Sequence, residues 1–194
     1  MKPGKKGKGL RIQTGDLKGK SIPSPVTQQG KSNFTPAILK KSLFSILDSL
    51  ELQGRLPIGE SAFLDLFAGS GQMGIEALSK GFARGVFLDL AWDRFESLKN
   101  VLEKLDKPHL VLRKDAFLFH SNFEIPEAFK VYFLDPPYSF WEKKEEKIKA
   151  MVEDIIATET GVSVIFIQSP HPLNWEGFEP RPFGRNVLNV RIFV

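Results

Sequence analysis

The chain contains no cysteine. That absence removes disulfides, zinc–thiolate sites, iron–sulfur clusters and every mechanism built on a thiol nucleophile. Histidine is nearly as scarce, and His109, His120 and His171 are too scattered for a local metal motif, so no metal is expected. No apolar run approaches the ~20 residues of a membrane span, and the lysine-rich start lacks the apolar segment of a signal peptide. A cytoplasmic chain with no membrane partner is the expectation.

Acidic residues are almost missing from the first 31 positions. Lys2, Lys5, Lys6, Lys8, Arg11, Lys18, Lys20 and Lys31 stand there against Asp16 alone, a net +7 where the whole chain carries +4. A basic arm on a mildly acidic body points to a polyanionic partner. With 194 residues, 42% of them hydrophobic, the remainder can bury roughly 70% of its unfolded surface in one core. The expected division is therefore a basic tail and hairpin over residues 1–31, one domain over 32–194, and a monomer.

What is present follows an alternating pattern. Residues 1–9 are Gly, Lys and Pro with one Met and read as disordered. Leu10-Arg11-Ile12 and Lys20-Ser21-Ile22 flank Gly15 to Gly19 and read as a short basic hairpin ending at Pro23. Thr35-Pro36 has the form of a cap followed by proline at the first helical position, and Leu39, Leu43, Ile46 and Leu50 then recur at helical spacing. This helix should cover one side of a ligand cleft. Strands are expected at 63–67, 85–88, 110–112, 131–134 and 162–167, helices at 72–80, 93–105 and 141–157, and a last, antiparallel strand at 187–194. Such alternation implies a mostly parallel sheet covered on both faces.

The chain is organised around Phe63-Leu64-Asp65-Leu66-Phe67-Ala68-Gly69-Ser70-Gly71, a buried strand running into a glycine turn and then a helix. Glycines there let a ligand approach the backbone, and the helix start offers free N–H groups. Gly69, Gly71 and Gly74 also fit the dinucleotide pattern, with Asp89 eighteen residues beyond Gly71. Asp65 separates the two possibilities. A carboxylate at the strand end repels a pyrophosphate but accepts from an ammonium, which favours S-adenosylmethionine. Asp65, Asp89, Asp115 and Asp135 each end a predicted strand, the edge at which open α/β sheets bind ligands; any one alone could be a helix cap.

Phe133-Leu134-Asp135-Pro136-Pro137-Tyr138 carries the chemistry. Two prolines fix the backbone and delete two donors, leaving carbonyls and the Asp135 carboxylate as acceptors for an exocyclic NH₂, with the Tyr138 ring as a stacking surface. Hydrogen bonds that draw those hydrogens out of plane restore nucleophilicity to an aromatic amine. Against a sulfonium methyl, positioning and electrostatics would carry most of the rate.

With these motifs the sequence resembles the class I S-adenosylmethionine-dependent methyltransferases, and more closely the RsmD family, which methylates N2 of a guanine in 16S ribosomal RNA. The resemblance covers nearly the whole chain: the 10–23 hairpin, the 35–47 helix, Asp65 to Gly71 with Glu76 to Gly81, Asp135 to Tyr138, and Phe183-Gly184 with Val187-Leu188. It implies a Rossmann-like fold with a mostly parallel seven-stranded sheet. It places Asp65, Gly69 and Gly71 around the methionine part of the cofactor, Asp89 at the ribose, and Asp115 with Ala116 at the adenine, with Phe67 and Ala68 also binding the cofactor. Asp135, Pro136, Pro137 and Tyr138 become the catalytic set holding a flipped guanine, and Arg11, Lys18 and Lys20 RNA contacts. The implied partner is 16S ribosomal RNA or the small ribosomal subunit. Alternatives are an adenine-N6 methyltransferase on DNA or another RNA, and a catalytically weak RNA-binding assembly factor. The chain departs from the family at Asn33-Phe34 and Lys41, at Ala91 in place of an acid, and at Gln168 where a glutamate usually ends the fifth strand.

Overall fold

Strands of β-branched and aromatic residues, punctuated by glycine and followed by amphipathic helices, need both sheet faces covered to bury their side chains. The computed structural model describes residues 10–22, 35–118 and 125–193. Residues 1–9, Pro23, Asn33, Phe34 and His120 lie outside them, as does the expected boundary at residues 31 and 32.

The N-terminal hairpin, β1 (Leu10–Arg11) with β2 (Ser21–Ile22), is a separate two-stranded ribbon. Seven further strands form the main sheet: β3 (Ser61–Asp65), β4 (Arg84–Leu88), β5 (His109–Leu112), β6 (Phe129–Leu134), β7 (Ser163–Ser169), β8 (Glu179–Phe183) and β9 (Asn186–Phe193). Their order is β5-β4-β3-β6-β7-β9-β8. The first five pair in parallel, while β9 runs antiparallel to both β7 and β8. The winding of the sheet reverses between β3 and β6, and a cleft opens there. The mostly parallel, seven-stranded α/β fold expected from the sequence is the fold found.

Side chains alternate across the sheet. Phe63, Val131, Phe133, Val164 and Phe166 pack on α1 (Ala37–Leu52) through Leu39, Leu43 and Leu47. On the other face Leu64, Leu134, Ile165 and Ile167 meet two further helices. Before these come α2 (Gln72–Lys80) and α3 (Trp92–Leu102), which lie on the α1 side, where Ile75, Leu78, Leu98 and Leu102 meet Phe87. The opposite face is covered by Trp141, Ile148, Val152 and Ile155 of α4 (Tyr138–Lys143) and α5 (Glu145–Thr158). Burying each such apolar side chain contributes about 1.5–3 kcal/mol.

The hairpin is anchored to α2 by its own loop. Ile12, Leu17 and Ile22 enter the cluster around Phe87, and the Asp16 N–H donates to the Ser79 carbonyl at 2.9 Å. Gly15 is in the left-handed region, and a Cβ there would lie 1.7 Å from that carbonyl oxygen. The close approach requires glycine.

Four expectations need correction. Helix α1 starts one residue later than its sequence signal: Pro36 is the cap, and the Thr35 hydroxyl bonds elsewhere. Strand β3 starts and ends two residues earlier than 63–67 because Leu66 and Phe67 turn out of the sheet. The single helix expected at 141–157 is two helices, broken at Lys144, whose φ of −141° and ψ of 18° are neither helical nor extended. Strand β8 escaped the sequence pattern because Pro180 and Pro182 read as loop. An edge strand tolerates proline where its missing N–H faces solvent, and β8 pairs on one side only.

Candidate functional site

The cleft, about 860 Å³, lies at the carboxyl ends of β3, β4, β6 and β7. It is built by residues that follow the last sheet bonds of each strand. Asp65 ends β3, Asp89 follows β4, Asp115 follows β5 and Asp135 follows β6, and all four line the same space. Parallel strands in register bring those four carboxylates together from residues spread over seventy positions.

Asp65 is 2% exposed, and its Oδ1 has no hydrogen-bond partner among the described residues. Burial, then the Asp135 and Asp89 carboxylates, push its carboxyl up to about 8, while N–H groups of Gly74 and Phe67 pull the other way. Asp135, half-buried at the cleft wall, is raised to about 7 by desolvation, against the pull of a 3.3 Å bond from the Thr35 hydroxyl to its Oδ2. Two neighbouring acids therefore change charge near neutrality. A cation held at Asp65 would lower both.

At the other end Asp89 serves the loop itself. Its Oδ2 accepts from the Gly69 N–H at 2.9 Å and its Oδ1 from the Ala91 N–H at 2.9 Å, with the Arg94 guanidinium 3.5 Å away. Asp115 caps the short 3-10 turn Ala116–Leu118 by accepting from the Phe117 N–H. Phe67, Ala68, Gly69 and Ala116 line the cleft with them. Gly71 does not: it is the left-handed cap of α2, where a Cβ would lie 2.3 Å from Leu98.

Pro136, Pro137 and Tyr138 line the wall beyond Asp135. Pro137 caps α4, and its carbonyl is spent on the Phe140 N–H at 2.8 Å, so it is not free for a ligand. The Tyr138 ring is half-exposed and its hydroxyl donates to Asn186 Oδ1. Phe67, Phe117 and Phe140 form an aromatic patch below, with the Lys144 ammonium 4.1 Å from the Phe140 ring centroid. Arg11, Lys18 and Lys20 are exposed on the hairpin, outside the cleft.

Sequence reasoning missed several residues that face this space. Thr35 has the signature of a cap, but its hydroxyl orients Asp135 across a hundred positions. Lys144 gave no signal, being one of many lysines in a charged helix. Gln168 was visible only as a departure at a strand end, and Asn186 not at all.

A family model described as conserved hypothetical protein 95 matches residues 10–191. The Haemophilus influenzae protein named ribosomal RNA small subunit methyltransferase D is 28% identical over 199 aligned positions, covering 98% of this chain and 96% of its own. Among solved structures, YhhF of Escherichia coli superposes with a TM-score of 0.71 at 22% identity, covering 95% of this chain and 97% of that one. An RNA methyltransferase from Salinibacter ruber, solved with S-adenosyl-L-homocysteine, superposes at 0.54 with 18% identity, covering 82% and 92%. The β-sheet order, the acidic rim and the match from hairpin to last strand agree, and the chain belongs to the conserved hypothetical protein 95 family, the RsmD family of class I methyltransferases.

Proposed function

We propose that the chain transfers a methyl group from S-adenosylmethionine to the exocyclic N2 amine of a guanine in 16S ribosomal RNA of the small subunit, acting in the cytoplasm as a monomer. The observation that carries this reading is the pairing of two desolvated carboxylates, Asp65 and Asp135, on adjacent strands of one cleft.

The donor set fits the cofactor. Asp65 Oδ1 is a buried acceptor without a partner among the described residues, the feature an ammonium would satisfy. Phe67, Ala68 and Gly69 would border the methionine part, Asp89 the ribose, and Asp115 with Ala116 the adenine. The fold relative from Salinibacter ruber holds the demethylated form of the same molecule. When bound, S-adenosylmethionine supplies a methyl group on a sulfonium sulfur, already activated toward a nucleophile.

The remaining work falls to side chains of this protein. Ionised Asp135 accepts a hydrogen of the guanine amine, and Thr35 fixes which oxygen does so. Pro136 and Pro137 hold that backbone rigid, and the Tyr138 ring stacks on the flipped base. Because Asp135 titrates at about 7, it can take the proton that the amine sheds and return it to water, a role worth roughly 10²–10⁴ in rate. The hairpin's Arg11, Lys18 and Lys20 would hold the RNA backbone, and the name of the Haemophilus influenzae relative supports ribosomal RNA as the substrate.

The test is transfer of radiolabelled methyl from S-adenosylmethionine to small subunits purified from cells lacking this protein, followed by mass mapping. Label on N2 of one 16S guanine is the expected result. Label on an adenine N6, or none on ribosomal RNA, would overturn the assignment.

A further inference from the structure

Gln168 lies near the end of strand β7, one step beyond the Leu134–Ile167 pair, so it stands beside Asp135 on the neighbouring strand at the same edge of the sheet. It is 7% exposed, lines the cleft, and its Oε1 has no hydrogen-bond partner among the described residues. A buried acceptor with nothing to accept from costs stability, on the order of a missing hydrogen bond. Such a group persists where a ligand completes it.

The orientation of the amide is fixed from the other side. Gln168 Nε2 donates to Asn186 Oδ1 at 3.4 Å, and the Tyr138 hydroxyl donates to the same oxygen. Two donors converging on Asn186 Oδ1 hold the Gln168 amide with its nitrogen toward β9 and leave its buried oxygen as the unfilled acceptor of a residue that lines the cleft. The stacking residue, the two amides and the Asp135 edge thus form one polar wall.

The geometry points to Gln168 as the residue that selects guanine, its Oε1 accepting the base's N1–H while Asp135 takes the adjacent N2 amine. This inference rests on the guanine-N2 reading above and adds the determinant of base choice. Guanine presents a donor at N1 next to its amine, whereas adenine presents a bare lone pair at N1 next to its own. An amide oxygen completes a hydrogen bond with the first and faces a lone pair in the second. Polar sites of this kind discriminate strongly because the wrong ligand leaves a buried group unpaired.

The test replaces the mapped target guanosine by 2-aminopurine, which keeps the 2-amine but has an unprotonated N1 and no 6-oxygen. The native protein should methylate guanosine at least ~100-fold faster than 2-aminopurine. Gln168→Met, of similar volume, should bring that ratio below about fivefold, while S-adenosylhomocysteine binding stays within twofold of the native protein's. Gln168→Glu keeps an acceptor and should keep most of the preference; Tyr138→Phe, which only loosens the amide, should weaken it less than Gln168→Met does. Equal native rates on the two bases, or a Gln168→Met variant that slows both equally, would overturn the assignment of Gln168 and leave the reaction standing. No transfer to guanosine N2 by the native protein would instead overturn the reaction itself.

Discussion

Asp65 and Glu76 are buried to nearly the same degree, 2% and 1% exposed, on consecutive elements of the chain. Their surroundings differ completely. Glu76 Oε1 accepts from the N–H groups of Gln13 and Thr14 and from the Thr14 hydroxyl at 2.7–2.9 Å, and its Oε2 pairs with buried Lys40 at 3.0 Å. Hairpin, α1 and α2 are all tied to that one carboxylate. Among the described residues Asp65 meets no cation and keeps one oxygen unpaired. A buried acid whose acceptors are filled from within is part of the frame; one left open toward a cleft is waiting for something from outside.

That comparison can be broken most directly at the frame. Glu76→Ala leaves the Lys40 ammonium buried and unpaired and three hairpin donors without an acceptor. A destabilisation of roughly 3–5 kcal/mol is expected in denaturant unfolding, and one below about 1 kcal/mol would make Glu76 incidental. At the site the effect falls on rate instead. Asp135→Ala should lower turnover by roughly 10²–10³ with S-adenosylhomocysteine binding retained. The kcat/KM of the native protein for S-adenosylmethionine, which reports the free enzyme, should rise with pH through about 7, since only the ionised carboxylate accepts from the amine; a flat profile between pH 6 and 8 would remove Asp135 from proton transfer.

Asp65→Asn sharpens the contrast. A carboxyl raised from 3.8 to about 8 destabilises the unliganded fold progressively as pH climbs through that interval. The asparagine variant should therefore be at least as stable as the native protein above pH 7 without ligand. Its affinity for S-adenosylhomocysteine should fall about tenfold or more, and the rise in affinity expected of the native protein from pH 6 to 7.5 should flatten. Thermal shift with and without the ligand reads both, and a variant that is less stable yet binds normally would place Asp65 in the frame with Glu76. The smallest effect is expected at the hairpin. Arg11, Lys18 and Lys20 changed together to Gln should reduce the salt dependence of RNA binding by about one unit of slope for each phosphate no longer neutralised. An unchanged slope would leave those charges as solubilising only.

Much of this was legible in the chain. Helix α2 spans the expected residues 72–80, because Gly71 and Gly81 bracket its apolar positions and no tertiary contact is needed to mark its ends. The four acids at strand ends were readable because strand periodicity and glycine turns give the direction of each strand. Elements whose boundaries depend on distant partners were less readable. Thr35 carries the chemistry of a cap, yet its hydroxyl is drawn to Asp135. Lys144 sits in a helical pattern, yet its backbone leaves the helical region and its ammonium lies over Phe140 and Phe117. Strand β8 has no strand signal of its own and exists because β9 offers it an edge.

The sequence by itself determined the alternation of strand and helix, the glycine loop and the Asp135-Pro136-Pro137-Tyr138 segment, because local spacing, φ restriction and the absence of proline N–H donors act within a few residues of the chain. The tertiary structure alone decided which buried acid is satisfied and which is left open, and which amide oxygen at the cleft is left without a donor among the described residues. Those properties belong to groups brought together across tens of residues, Glu76 with Lys40 and the hairpin, Gln168 with Asn186 and Tyr138. Desolvation and the filling of lone pairs are set by what surrounds an atom in space, and no window of sequence contains it.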